Sequence, residues 1–481
     1  GIAWYRKHFD IPQDCENKRI YIHFDGVYRN CTIYLNEYYI GKYESGYTSF
    51  YYDITDFVNI GGENLLAVRV DATGREGWWY EGGGIYRNVW LEIKENISAA
   101  YNGVFIYSDV ALEEKSAVLN VQTEIENKQL NDCDVTVEQI IYNADKKKIV
   151  QTENTVLSYA WDNIFCKQNI VLNNVTLWDI ENPYLYSLKT NIYANGKLTY
   201  TVTTNFGVRD IYFDANKGFF LNGKNVKIKG LCCHHDHAGL GIAQNKNVFE
   251  YRIAQMKSMG ANAYRSAHHA ASIELLELCD ELGIMVMEEN RILESSELRL
   301  EELERMIKRD RNHPSIVFWS LCNEEIIGST PMAERMARRM AALVRKFDKE
   351  RLLVSAELLN LEGIINPSYM EIFDIIGVNY PESAVMGEGL NNIKKKFPHQ
   401  PIMSTENASY FSTRGIYKDD WNKCQTSNYG SCYSMFGQDK LPPDAPGAGG
   451  TAHPETVMEF YKTHPFMGGS FIWTAFDYYG E

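Results

Sequence analysis

Two β-sandwiches followed by an eight-stranded β/α barrel, together a multidomain β plus α/β protein, is the fold this sequence predicts. Three observations carry it. Residues 1–207 hold short strand patterns with turn punctuation and no helix-period segment. After Phe206, uniformly apolar runs alternate with helical stretches. Eight such runs fit into a remainder of about 270 residues, the size of one closed (β/α)8 TIM barrel.

Composition agrees with a large folded chain. With 481 residues, about three domains are expected. Hydrophobic residues at 45% and charged residues at 23% supply a core and exclude wholesale disorder. No stretch approaches the roughly 18 apolar residues of a membrane span. A net charge of −15 argues against nucleic acid or an anionic membrane as partner, and leaves a homo-oligomer open. The 32 Tyr and 9 Trp are a heavy aromatic load, common in β-rich proteins that handle carbohydrate. Ten cysteines are scattered without disulfide-framework or Cys-x-x-Cys spacing, which favours a reducing, cytoplasmic compartment. The chain opens on Gly1-Ile2-Ala3-Trp4 and stops at Glu481 soon after an apolar run, so both ends read as cut and targeting is not legible.

The first sandwich is placed at 1–98. Its strands include 20–24, the alternating Cys31-Thr32-Ile33-Tyr34-Leu35, and the period-two series Leu66, Val68 and Val70. A Gly- and Trp-rich loop at 74–84 interrupts before 85–90. The second sandwich, immunoglobulin-like in length, is placed at 99–207. There Leu119, Val121, Thr123 and Ile125 alternate with polar residues, and Asn195-Gly196 between 188–193 and 198–202 is a strong hairpin signal.

The barrel is placed at 208–481. Its eight strands are expected at 226–232, 261–266, 284–287, 316–321, 352–355, 375–379, 401–404 and 470–476, with helices at 248–259, 273–282, 298–309 and 332–347. A doubly wound open sheet is the rival, but no Gly-rich phosphate turn follows the first strand. The stretch 407–460 is a long excursion on the face where barrels keep their chemistry.

Strand ends on that face carry His234, His235, Asp236 and His237, then Arg265 and His268, Glu288 and Glu289, and Asn323, Glu324 and Glu325. Glu357, Tyr380, Glu406 and Asn407 follow, with Trp473 and Asp477 assigned to strand eight itself. Converging charges are costly unless paired or solvated, so this rim reads as a functional site. Glu324 and Glu406 matter most. Two carboxylates facing across a barrel mouth can divide acid and base roles, and a separation of about 5–5.5 Å suits a retaining glycosidase.

The segment Asn312-His313-Pro314-Ser315-Ile316-Val317-Phe318-Trp319-Ser320-Leu321-Cys322-Asn323-Glu324 closely resembles the acid/base segment of glycoside hydrolase family 2, the β-galactosidase/β-glucuronidase family. Residues 79–90, 177–186, 206–209 and 471–478 resemble the same family, in order along the chain. The resemblance implies a jelly-roll sugar-binding domain, an immunoglobulin-like domain and a catalytic barrel. It implies Glu324 as acid/base and Glu406 as nucleophile. Asn323 then holds a sugar 2-hydroxyl, Tyr380 bonds the nucleophile, Trp473 walls the sugar pocket, and Arg265 keeps Glu406 ionised. His268 touches the sugar, and His235 or Asp236 meets a hydroxyl.

Strict alternation cannot aim Asn323 and Glu324 at one ligand, so a bulge or turn is expected there. Zinc at 234–237 is disfavoured, because adjacent ligands seldom converge on one metal. Metal-dependent relatives carry a Glu-x-His after strand three, whereas no histidine lies between Glu289 and His313. No metal or cofactor is therefore expected. Trp78 and Trp79 are either a sugar platform or interface packing. Met332, Met336 and Met340 read as core, and Lys394-Lys395-Lys396 as a solvated face. The expected activity is a retaining exo-β-glycosidase on an oligosaccharide or glycoside, β-galactosidase first and β-glucuronidase second. A non-catalytic carbohydrate-binding protein is the rival of another class.

Overall fold

A computed structural model describes residues 1–74, 80–325, 328, 330–358, 366–381, 388–408, 418, 420, 422–423 and 454–478. Trp78 and Trp79, and most of the 407–460 excursion including Arg414 and Lys440, lie outside the described residues.

The first unit stacks two antiparallel sheets. One runs in the order Ile2–Asp10, Glu63–Asp71, Cys31–Leu35, Tyr38–Tyr43, and the other Phe50–Asp53, Arg19–Phe24, Val89–Lys94. Between them lie Phe24, Ile33, Phe50, Val68 and Val70, all at most 1% exposed. The period-two pattern thus resolves into one buried and one wetter face. The second unit repeats the plan with three strands against four, 97–173 and 133–206 interleaved. Its Asn195-Gly196 turn pairs Ala194 with Lys197, both turn residues lying at positive φ (47° and 79°). Thr123, expected among the apolar residues of its strand, is buried as a polar partner of Gln139 at 2.9 Å.

Eight parallel strands close the barrel: Ile228–Cys233, Ala263–Ser266, Met285–Glu289, Ile316–Asn323, Leu352–Glu357, Ile375–Asn379, Ile402–Asn407 and Met467–Ile472. The last begins three residues before its expected start, so Trp473 and Asp477 lie beyond strand eight rather than on it. Close packing sets that register. A Cβ on Gly468 would meet the Phe213 ring at 1.8 Å, and one on Gly469, at φ 144°, the Ile228 carbonyl at 2.1 Å. Only glycines let these backbones approach. A hairpin of Ile211–Asp214 and Gly218–Leu221 supplies Phe219 and Leu221, which pack with Phe318 and Phe471 inside the barrel.

The motif segment 312–324 is divided in use. Its first part docks domains: Asn312 accepts from the Ile106 N–H at 3.0 Å and donates to the Val104 carbonyl at 2.8 Å. His313 pairs with Asp280 at 2.5 Å, and Arg209 donates to the Pro314 and Ile316 carbonyls. Trp178 donates to the Asp280 carbonyl at 2.9 Å. The second part enters the barrel wall.

Two surface expectations are corrected. Met340 is core and Met336 packs on it, but Met332 in the first turn of Pro331–Phe347 is 44% exposed. Lys394 is held by the Ala215 and Pro398 carbonyls, while Lys395 and Lys396 are exposed. Among the described residues no helix is long and apolar enough to cross a membrane. The eight described cysteines are free and buried.

Candidate active site

Parity along the strands explains which side chains reach the rim's interior. Met285 and Met287 lie in the interior cluster, so Glu289 shares their face, while Glu288 turns outward to Ala271 N–H at 2.7 Å and Ser266. Ala263 and Arg265 share the inner face of strand two in the same way. Strand four breaks parity where the sequence demanded it. Its register with strand five shifts between Ser320 and Asn323, and Glu324 adopts φ 50° while its N–H donates to the Ala356 carbonyl at 2.7 Å. That left-handed residue, costing roughly 1 kcal/mol or more, lets Asn323 and Glu324 join one network.

Arg265 is the centre, fully buried, with all five N–H donors engaged. Nε and Nη2 donate to Glu289 Oε2 at 3.0 and 2.7 Å. Nη1 donates to Glu406 Oε1 at 2.7 Å and the Thr405 carbonyl at 2.9 Å, and Nη2 also to Asn323 Oδ1 at 2.7 Å. Asn379 then donates to Asn323 Oδ1 at 2.9 Å and to Glu324 Oε1 at 2.8 Å. The two carboxyls of interest are therefore joined through Arg265, Asn323 and Asn379.

His268 completes the wall. Its Nδ1 meets Glu289 Oε1 at 2.6 Å, and its Nε2 lies 3.4 Å from Asn323 Nδ2 and 3.6 Å from Glu406 Oε1. The ring stacks on Trp473 at 5.3 Å and 7°. Burial, then Arg265, push its pKa well below the ordinary value. Tyr380, at φ 50°, donates its N–H to the Glu406 carbonyl at 2.8 Å and its hydroxyl bonds the Glu406 carboxylate.

The electrostatics separate the carboxyls. Burial, then repulsion from Glu406, push Glu324 up to about 8, with only the Asn379 amide as hydrogen-bonding relief. Glu406 was expected to sit low beside Arg265. Instead its pKa is raised, because desolvation outweighs the guanidinium that opposes it. Arg265 bonds two buried carboxylates, Glu289 and Glu406, and among the described residues no ion pair is formed by Glu324, on which Arg265 acts at longer range.

Other expected residues fall elsewhere. His234, not His235, stands beside Trp473, at 4.9 Å, and its Nδ1 donates to the Ala267 carbonyl at 2.8 Å. His235 is buried against Tyr86, Phe249 and His269. Asp236 is buried too, its carbonyl accepting from Arg252. The adjacent histidine rings thus diverge, and among the described residues no group of three His, Cys, Asp or Glu side chains could hold a metal ion. Glu325 accepts the Leu293 N–H at 3.0 Å. Glu357, buried, takes the Tyr369 hydroxyl at 2.7 Å and is raised to about 7 by desolvation. Sequence reasoning put Glu289 and His234 on the rim without a role and did not name Asn379 there. Strand parity with Met285 and Met287 was the available signal for Glu289, and the end of strand six for Asn379.

Comparison with known proteins agrees across the chain. Residues 1–95 match the sequence profile of Glycosyl hydrolases family 2, sugar binding domain. Residues 100–209 match Glycosyl hydrolases family 2, and residues 214–298 and 293–434 match Glycosyl hydrolases family 2, TIM barrel domain. The chain is 31% identical to Beta-galactosidase BoGH2A of Bacteroides ovatus, aligning over 100% of this chain but only 61% of that protein. It is 28% identical to a beta-glucuronidase of Bacteroides fragilis, over 99% and 70% respectively. A solved structure of a glycosyl hydrolase family 2 member from Bacteroides cellulosilyticus superposes with a TM-score of 0.85 at 30% identity, covering 100% of this chain and 60% of that one.

Proposed function

The chain belongs to glycosyl hydrolases family 2, and from that membership we propose that it is a retaining exo-β-glycosidase, with Glu406 as nucleophile, Glu324 as acid/base and a neutral β-galactoside as preferred substrate. The observation that carries the chemistry is the unequal sharing of Arg265. Its guanidinium holds Glu406 at 2.7 Å, while Glu324 has a neutral amide and is pushed up to about 8. The guanidinium opposes desolvation at Glu406 and repulsion adds to it at Glu324, which favours the first for attack and the second as acid.

In the first step Glu406 attacks the anomeric carbon as the Glu324 carboxyl protonates the departing oxygen, leaving a glycosyl ester on Glu406. Esterification removes the Glu406 charge, the second-largest cause of the high Glu324 pKa. Glu324, now ionised, falls in pKa and takes a proton from water, which displaces the sugar from Glu406 with net retention. Asn323 and His268 hold sugar hydroxyls, Trp473 stacks on the ring, and Tyr380 orients Glu406.

Preference for a neutral sugar is supported by how the cations are used. A glucuronide carboxylate needs a cation or several donors. Among the described residues Arg265 is saturated, Arg252 donates to the His234 and Asp236 carbonyls, and Lys423 pairs with Asp420 at 3.0 Å, while Arg291 also acts on His268. The first-named relative, a beta-galactosidase, supports the same reading. The test is a panel of p-nitrophenyl β-glycosides. A glucuronide preferred tenfold or more over the galactoside, about 1.4 kcal/mol, overturns the sugar assignment. Failure of an activated fluoroglycoside to label any carboxylate favours a non-catalytic carbohydrate-binding protein.

A further inference from the structure

The motif at 79–90 takes no part in the chemistry above, yet Arg87 within it ties the first sandwich to the loop that carries His268. Its Nη1 donates to the Tyr47 carbonyl at 2.7 Å, inside the sandwich. Across the domain boundary the same guanidinium reaches the Ala270 carbonyl at 3.2 Å and the Ala271 carbonyl at 3.4 Å. Among the described residues its hydrogen-bond acceptors are main-chain oxygens. Beside it the Tyr47 ring stacks on His269 at 4.4 Å and 13°.

We propose that Arg87 is a positioning residue, through which the first sandwich fixes the 267–271 loop and with it the His268 ring in the sugar pocket; the consequence for turnover rests on the glycosidase reading above. The loop is gripped from both sides. From within the barrel, Ala271 donates its N–H to Glu288 at 2.7 Å and accepts from Arg309 at 2.7 Å. His234 caps the Ala267 carbonyl at 2.8 Å. From outside, Arg87 supplies the charge-assisted bonds that hold the carbonyls of Ala270 and Ala271. Between these anchors stand His268, stacked on Trp473 and bonded to Glu289, and His269, covered by Tyr47. A guanidinium suits this place because its planar fork spans carbonyls of two domains at once, which an ammonium does not.

The experiment is a double-mutant cycle of Arg87→Met and His268→Ala, assayed with an activated aryl β-glycoside. A misplaced pocket group costs roughly 10–100-fold, and Arg87→Met alone is expected to lower kcat/KM by that much. In the His268→Ala background the same substitution should cost less than about threefold, since its effect passes through His268. Equal cost in both backgrounds, or no cost in either, overturns the proposal. Arg87→Lys runs the same cycle if the methionine variant does not fold by circular dichroism. Hydrogen–deuterium exchange of a peptide spanning 266–272 reads the clamp without activity: exchange should quicken in Arg87→Met, and unchanged exchange overturns the positioning role. A wild-type chain that hydrolyses no β-glycoside defeats the glycosidase reading instead, and the exchange measurement then decides the clamp alone.

Discussion

Glu406 is the penultimate residue of barrel strand seven and Glu324 follows barrel strand four, and the two are the same residue type in one hydrogen-bonded network. Glu406 is 3% exposed and touches a guanidinium, a tyrosine and a histidine. Glu324 is less buried yet carries the larger burden, pushed up to about 8 by desolvation and by Glu406 itself. The contrast teaches that burial alone does not assign acid and base. In the proposed assignment the shared cation does: Arg265 bonds Glu289 and Glu406, while its hydrogen-bonded link to Glu324 runs through the amides of Asn323 and Asn379.

The most severe way to break that contrast is Glu406→Gln, which removes the proposed attacking oxygen. Turnover should fall by a thousandfold or more, about 4 kcal/mol at the barrier, with circular dichroism unchanged; retention of more than a few per cent of activity would sink the nucleophile assignment. Next is Glu324→Ala. It should cost roughly 10²–10⁴-fold on poor leaving groups, spare activated ones, and recover with azide. Equal losses on both substrate types, without azide recovery, count against the acid/base role.

A sharper probe is Arg265→Lys. One ammonium cannot reproduce five directed donors, so Glu289 and Glu406 lose part of their common support. We expect kcat to drop by roughly tenfold or more, together with a lower melting temperature. A variant with wild-type kcat would show that the shared guanidinium does not set the charge of Glu406.

The smallest expected effect is on pH. On the proposed roles protonated Glu324 is the competent acid, so kcat/KM should decline as pH rises through about 8. The stability consequence has a definite sign. The folded state holds this proton up to about 8 while the unfolded chain releases it near 4.3, so folding weakens as pH rises between those values. Glu324→Gln should therefore raise the melting temperature more at pH 8 than at pH 5, and the reverse order would contradict the shift. EDTA should change nothing; activity lost on chelation and restored by magnesium would show a metal at work.

Much of this was legible in the sequence because its signals are local. The Asn195-Gly196 hairpin, the alternation of Leu66, Val68 and Val70, and the run Ile375–Asn379 each depend on backbone preference and one face of burial. The demand for a break at Asn323 and Glu324 was legible too, since two neighbours cannot share a ligand without one. Placement of His235 was not. Whether the ring of His234 or of His235 meets Trp473 depends on where strand one stops against strand two and on Tyr86 arriving from another domain. Strand eight was displaced for a similar reason, because the fit of Gly468 under Phe213 is a contact between residues about 255 positions apart.

By itself the sequence determined the β and β/α units and the rim on which carboxylates, histidines and an arginine collect, Glu324 and Glu406 among them. These follow from periodicity and from the rule that barrel strands end at one face. Only the tertiary structure decided that Arg265 serves Glu289 as well as Glu406, that Asn379 rather than a cation faces Glu324, and that Arg87 crosses from the first sandwich to the His268 loop. Charge and desolvation act through distances of a few ångströms, and those distances join residues that lie tens to hundreds of positions apart along the chain.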